Sequence, residues 1–481
     1  MVSNWLTRFY FQRALGFIYT LGFLIAVNQF RALCGERGIL PAKLFVKKVE
    51  FWNSPSLFWL NSSDTFIMVL AYLGLIFAVL ATLGISDAFG PWVSGIFWFC
   101  LWLLYLSFVN VGQTFYSFGW ETLLLETGFL AIFLGSLDTP PSTLIIWLMR
   151  WILFRLMFGA GLIKLRGDEC WRDLSCMQYH YETQPMPNPL SWYFHQLPHW
   201  INKAAVLVTH FSEIVVPFFY FAPRPFRHWA GLITIIFQGM LILSGNLSWL
   251  NYITIVLAIV CFDDSVLPKL EGWTKLMGLS FVESSGVVMG TPLVYVVASL
   301  ILLLSVRPTL NLISSRQLMN SSFEPLHLVN TYGAFGSITR KRFEVVLEGS
   351  DDPALRDWKE YTFKGKPSEV ERRPPVISPY HLRLDWQMWF AAMSSYEYSP
   401  WVLSLVGKLL QGNEQVTALL RGNPFGSNPP KYIRASLYEY NFAEPQNKNW
   451  WVRRYAGEFL PALSLDNPNF RNVLVEKGWL N

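Results

Sequence analysis

The sequence predicts an α-helical polytopic membrane bundle over residues 1–310, followed by a small α+β soluble domain over residues 311–481. Three observations carry that reading. Of 481 residues, 52% are hydrophobic and only 15% are charged, against roughly 25% charge in a soluble globular protein. The charge is also uneven: about 11% of residues 1–310 are Asp, Glu, Lys or Arg, and about 22% of residues 311–481. Finally, nine segments approach the roughly 20 apolar residues that a helix needs to cross the hydrocarbon core. Together these exclude a purely soluble enzyme, a disordered chain and a disulfide-dense secreted module. The net charge of +5 comes without a basic run, so nucleic acid is not an expected partner, whereas membrane lipid is.

The nine segments are 13–30, 65–85, 92–110, 120–134, 143–165, 204–221, 229–244, 247–262 and 291–306, with eight crossings if 247–262 is re-entrant. The first opens at Arg8 and Arg13 and lacks a small-residue cleavage site, which predicts a retained span. Basic residues do not set the orientation, because Arg37, Lys43, Lys47 and Lys48 oppose Arg8, Arg13, Arg224 and Arg227. Sequons offer a second criterion. Asn61, Asn246 and Asn320 each open an Asn-x-Ser acceptor pattern, and nine spans put all three on the side of the C-terminal domain. The expected topology therefore has a cytosolic N-terminus and a lumenal C-terminal domain. In that domain, runs from Arg342, Tyr361 and Tyr432 read as strands, and residues 384–394 and 400–421 read as helices.

Ionisable residues inside apolar spans are expensive in lipid unless paired or facing a wet cavity. Here they are Glu121, Glu126, Arg150, Arg155, Lys164, His210 and Glu213. On one helix Arg150 and Lys164 lie about 40° apart and Arg155 about 140° from Arg150, so Arg150 and Lys164 can share a face, with Glu121 or Glu126 as partners. Structural ion pairs, a polar cavity and snorkelling ends are the three readings open to this set. Cys170 and Cys176, six apart on the lumenal side, are a candidate disulfide. Their spacing is not Cys-x-x-Cys, and no four-ligand metal pattern, phosphate loop or dinucleotide fingerprint is present. No metal or cofactor is therefore expected. The stretch Tyr179 to Pro189 holds three prolines in five residues and reads as an extended loop, on which His180 and Glu182 form a possible acid/base pair.

Several long aromatic strings are recognisable: Tyr116–Phe129, Gly159–Cys176, His180–Pro189, Ser244–Ser248, Asn330–Thr339 and Ile377–His381. Through them the chain resembles the lipase maturation factor family of endoplasmic reticulum membrane proteins, nearly from end to end. The resemblance implies a chaperone-like factor that promotes folding, dimer assembly and secretion of newly synthesised homodimeric lipases of the lipoprotein lipase type. It also implies contact with other folding factors of the reticulum, or an inner-membrane location in a bacterial source. Gly365 and Pro375 flank a stretch that carries cysteines in some members, so a second redox pair is not expected here. Candidate client anchors are Trp386, Trp389, Phe390, Trp450 and Trp451, each of which also fits core packing.

Two other functions remain open. The first is an integral membrane enzyme, similar in architecture to the vitamin K-dependent carboxylase group, with a site built from Glu121, Glu126, Arg155, Lys164 and His180. The second is a transporter with a broken hairpin, 229–244 and 247–262, around Asn246.

Overall fold

The computed structural model describes residues 4–137, 139–268 and 291–480. Among the described residues, seven helices are long and apolar enough to cross a membrane: α1 (Trp5–Cys34), α2 (Asp64–Leu83), α3 (Pro91–Val111), α5 (Thr143–Arg166), α6 (His199–Phe221), α7 (Arg224–Ser244) and α9 (Pro292–Ile313). The other two expected spans, 120–134 and 247–262, become the shorter helices α4 (Gly119–Ala131) and α8 (Leu250–Cys261), so nine falls to seven by length. The shortness of α4 has a physical cause. All of its residues except Phe129 are buried, so protein surrounds it and no lipid thickness sets its length.

Both short helices nevertheless run between the same two ends of the bundle. At one end Arg8 donates to the Thr139 carbonyl and Gln12 to the Gly135 carbonyl at 3.1 Å, just beyond α4. There too Asp264, beyond α8, accepts the Trp5 and Leu6 amides, and Asp263 gathers Arg224, Arg227 and His228. At the other end Gly119 opens α4 beside Asn320, and Ser191 donates to the last carbonyl of α7, that of Ser244, at 2.7 Å. Exposed aromatics mark the two ends: Phe89, Trp92, Phe226 and Trp229 on the first, Trp52, Tyr193 and Trp200 on the second. Such belts suit a membrane–water boundary. The apolar stretch of α5 is 72% buried and that of α7 only 28%, which makes α5 the central post and α7 a lipid-facing wall.

The C-terminal part holds a four-stranded antiparallel sheet of β1 (Arg342–Ser350), β2 (Lys359–Glu360), β3 (Tyr432–Phe442) and β4 (Trp451–Leu463), in the order β2-β1-β3-β4. Helices α10 (Arg383–Ala392), α11 (Trp401–Leu410) and α12 (Pro468–Glu476) accompany it. The helix expected over 400–421 stops at Leu410 because Gly412 turns left-handed, with φ of 65°. The strand expected at Tyr361 shrinks to Lys359–Glu360 and a bridge between Thr362 and Gly422.

One continuous hydrophobic cluster runs from Leu15, Tyr19 and Phe23 of α1 to Trp386, Leu405 and Leu474 of the C-terminal part. Polar contacts reinforce that joint. Gln29 donates to the His381 carbonyl at 2.7 Å and accepts from the Arg383 amide at 3.1 Å. Arg383 then reaches Glu121 at 2.8 Å and the Phe115 carbonyl at 2.8 Å. The linking stretch 314–341 packs on α4 and α5 instead of standing off as a tether, as the Asn330 and Gly336 contacts attest.

Candidate functional site

Apart from Arg150, the ionisable residues marked in the apolar spans fall into three centres. In the first, Arg155 of α5 pairs with Glu126 of α4, both 1% exposed. The Glu126 carboxylate also accepts the Asn330 amide at 3.0 Å, the Asn330 side chain at 3.1 Å and the Tyr332 hydroxyl at 2.6 Å, while Arg155 donates to the Asn330 carbonyl at 2.6 Å. In the second, Glu121 holds Arg383 and accepts from the Tyr105 hydroxyl. His381 sits beside this pair in a cage of Phe118, Trp120, Trp249 and Trp386. Burial, and then the Arg383 charge, hold the His381 imidazole neutral far below its ordinary range.

The third centre joins Lys164 of α5 to Glu213 of α6, Nζ lying 2.7 Å from each carboxylate oxygen. Local backbone explains the contact. Glu213 rides a π-helical turn, Phe211–Val215, of the kind that re-aims a side chain. Opposite it stands Gly161, where a Cβ would lie 3.1 Å from the Glu213 Cβ and 2.7 Å from Ile214. Only a residue without a side chain lets α5 and α6 approach this closely.

Arg150 and Lys164 thus share neither a partner nor a site. Arg150 donates to the Val260 carbonyl at 2.9 Å, about 20 Å along α5 from Lys164 by helical rise. The carboxylates of α4 go instead to Arg155 and Arg383. The five residues read together as an enzyme site are therefore distributed over all three centres.

Lys164, Glu213 and His180 line a cavity of about 470 Å³. Its deep walls are Leu156, Met157 and Ala160 of α5, Phe237 and Leu241 of α7, and Leu250 and Thr254 of α8. Trp386, Trp389, Phe390 and Met393 of the C-terminal part close it from the other side, and Phe335 of the linking stretch forms one flank. His180 lies on a short helix, Met177–Thr183, and not on an extended loop; the prolines begin only after it. Glu182 turns away from His180 to accept the Phe442 amide at 2.8 Å, with His195 at 3.6 Å. The acid/base pair read from these two does not form. Burial, helped by the Lys164 charge, pushes His180 down to about 4, so it is neutral at pH 7.

Cys170 and Cys176 form a disulfide. It closes the turn that carries Trp171 and Met177 to the cavity wall, where Lys164 lies 5.4 Å from the Trp171 ring. Among the described residues no cluster of His, Cys, Asp or Glu is arranged to hold a metal ion.

Other sequence candidates move. Asn246 is 2% exposed, and its amide bonds the carbonyls of Pro187 and Pro375 and the amides of Ile377 and Ser378. It is an interior strut between bundle and C-terminal part, set in the break between α7 and α8, and not a glycan acceptor in the folded protein. Asn61 and Asn320 are exposed. Trp386 and Trp451 are buried core, Trp451 stacking on Phe442 with centroids 4.4 Å apart, so neither offers a client anchor. Trp389 and Trp450 are half-buried, and Phe390 is 41% exposed. Sequence reasoning missed Arg383 and Tyr332 as partners of the buried carboxylates, and His381 beside them. They sit in the charged or aromatic C-terminal third, where nothing in composition marks a residue that reaches into a bundle.

A multi-pass helical bundle with a sheet-containing C-terminal part packed onto one end defines a membrane protein with an extramembrane head. The chain belongs to the lipase maturation factor family. Residues 6–269 match the lipase maturation factor transmembrane domain, and residues 328–461 match the lipase maturation factor C-terminal domain. Lipase maturation factor 1 of Mus musculus is 45% identical over 96% of this chain and 88% of its own length. The Homo sapiens protein of the same name is 43% identical over 99% and 90%. Lipase maturation factor 2 of Xenopus laevis is 32% identical over 99% and 85%. No solved structure matches the chain.

Proposed function

We propose that this chain is a factor of the endoplasmic reticulum membrane that promotes folding, dimer assembly and secretion of homodimeric lipases, with residues 311–481 as a lumenal domain that meets the client. The observation that carries this reading is the 45% identity, over 96% of the chain, to a protein named lipase maturation factor 1. Physical features agree with it. The disulfide, exposed Asn61 and Asn320, and the C-terminal sheet lie at one end of the bundle, as an oxidising, glycosylating compartment requires. The head is anchored through Asn246, Gln29 and Glu121, so a client held there is held at the membrane surface.

Covering an exposed apolar client surface until two chains pair needs no nucleotide, because pairing itself removes the surface from water. The test is complementation: cells lacking their own maturation factors express a dimeric lipase with or without this chain. Secreted lipase activity and the dimer fraction rise when the chain is present. Equal activity in both cell lines rules the reading out. A shift in mobility on endoglycosidase treatment, lost in Asn61→Gln/Asn320→Gln, reports the lumenal side independently.

A further inference from the structure

We propose that the cavity between α5, α7, α8 and α10 is a binding site for an uncharged single-chain lipid, with the acyl chain in the bundle and a hydroxyl- or ester-bearing head near His180. This inference goes beyond the maturation role and does not rest on it.

Three observations point to a ligand of that kind. The first is shape and depth. Leu156 lies ten residues before the end of α5, about 15 Å down by helical rise, while Met319, Asn320, Phe390 and Met393 are exposed at the mouth. The second is a set of buried polar atoms left unused. Among the described residues, His180 Nδ1 and Asn251 Oδ1 are buried without a hydrogen-bond partner, in residues 6% and 2% exposed. Gln238 gives its amide only to the Met157 thioether, a weak acceptor, at 3.4 Å. Unmet polar groups in a protein interior are costly, and at a cavity wall a ligand can supply the missing partner. The third is charge. Lys164 is already neutralised by Glu213, and His180 is neutral at pH 7, so an anionic head finds no free cation in this wall.

A peptide segment fits less well. Its many backbone N–H and C=O groups would outnumber the few polar side chains, Gln238, Asn251 and Thr254, set among Leu156, Phe237 and Leu241. An acyl chain has no such groups below its head.

The test uses the full chain in lipid nanodiscs, photolabelled with a diazirine-bearing monoacylglycerol and mapped by peptide mass spectrometry. Label is expected on the peptides around Met157–Ala160 and Leu250–Thr254, and a tenfold excess of monoolein competes it away. Ala160→Trp and, separately, Leu241→Trp fill the space from two walls and cut that label at least tenfold. Ile236→Trp, on the exposed face of α7, leaves it unchanged. His180→Leu lowers it severalfold. A thermal unfolding midpoint near wild type in either filling variant shows that the loss is local. Label confined to lipid-facing residues, or unaffected by both filling variants, overturns the proposal. So does a diazirine fatty acid at pH 7.4 that labels the cavity as strongly as the monoacylglycerol does.

Discussion

Two ion pairs on α5, nine residues apart, differ in what surrounds them. Glu126 and Arg155 are enclosed by Asn330 and Tyr332, which use the carboxylate as the meeting point of α4, α5 and the linking stretch. Lys164 and Glu213 are bonded to each other and otherwise face the cavity and the Trp171 ring. The first centre is a joint. The second is a wall, neutral overall, beside an open cavity. Charge inside a bundle therefore does not by itself mark a functional site; an open space beside the pair is what separates the two centres.

The largest effect should come from the joint. Glu126→Leu leaves Arg155 buried without its carboxylate and strips Asn330 and Tyr332 of their acceptor, at a cost of about 3–5 kcal/mol. Thermal unfolding of the purified variant should show the loss, and Glu126→Leu/Arg155→Met should recover more than half of it. Next comes the wall. Lys164→Met strands Glu213, but the adjoining cavity admits water to solvate it, so the cost falls to about 1–3 kcal/mol. If Lys164→Met costs as much as Glu126→Leu, the distinction between joint and wall is wrong.

How much of this was legible in the sequence depends on the range of each interaction. The bundle was readable because hydropathy is a local property of about 20 residues, and both members of the Lys164–Glu213 pair stood out as charges in apolar runs. The pairing itself was not, since it needs the π-helical turn at Phe211–Val215 and the close approach at Gly161. Strand β4 was missed because Arg453, Arg454, Gly457, Glu458 and Pro461 break its alternation, although β3 pairs along most of it. Trp451 was read as an anchor because the strand that buries it was unseen. The aromatic strings that carried the family resemblance did better. Those at Ile377 and Ser244 meet through Asn246, and those at Asn330 and Tyr116 meet through Glu126, although they lie far apart in sequence.

The disulfide tests the cavity wall at smaller scale. Cys170→Ser frees a short loop whose closure, with a separation of 6 residues, contributes about 2 kcal/mol in the chain-entropy account. Because that loop holds Trp171 and Met177 against the cavity, the loss should appear first as faster hydrogen exchange over 170–180, with the joint peptides around Glu126 and Asn330 still protected. Loss of protection at both together would mean that wall and joint open as one unit.

The smallest effect, and of opposite sign, lies at Lys408 of α11. Its side chain is fully buried and Nζ has no hydrogen-bond partner among the described residues. Burial, and then the neighbouring Arg37 charge, lower this ammonium to about 8. In the unfolded chain a lysine titrates near about 10.4. Between those values the unfolded state binds a proton that the folded state does not, so wild-type stability should rise with pH from about 8 to about 10. Below pH 8 the buried charge is present and costly. Lys408→Met should therefore stabilise the protein at pH 7, by about 1–2 kcal/mol, and should remove the alkaline rise from a series of unfolding midpoints. Lys164→Met, the same change on a lysine of similar burial, should destabilise at the same pH. The two lysines differ chiefly in whether a carboxylate lies opposite, so opposite signs would assign the role of Glu213 to pairing. If both variants stabilise, the Lys164–Glu213 pair is a cost to the fold, retained for what the cavity binds.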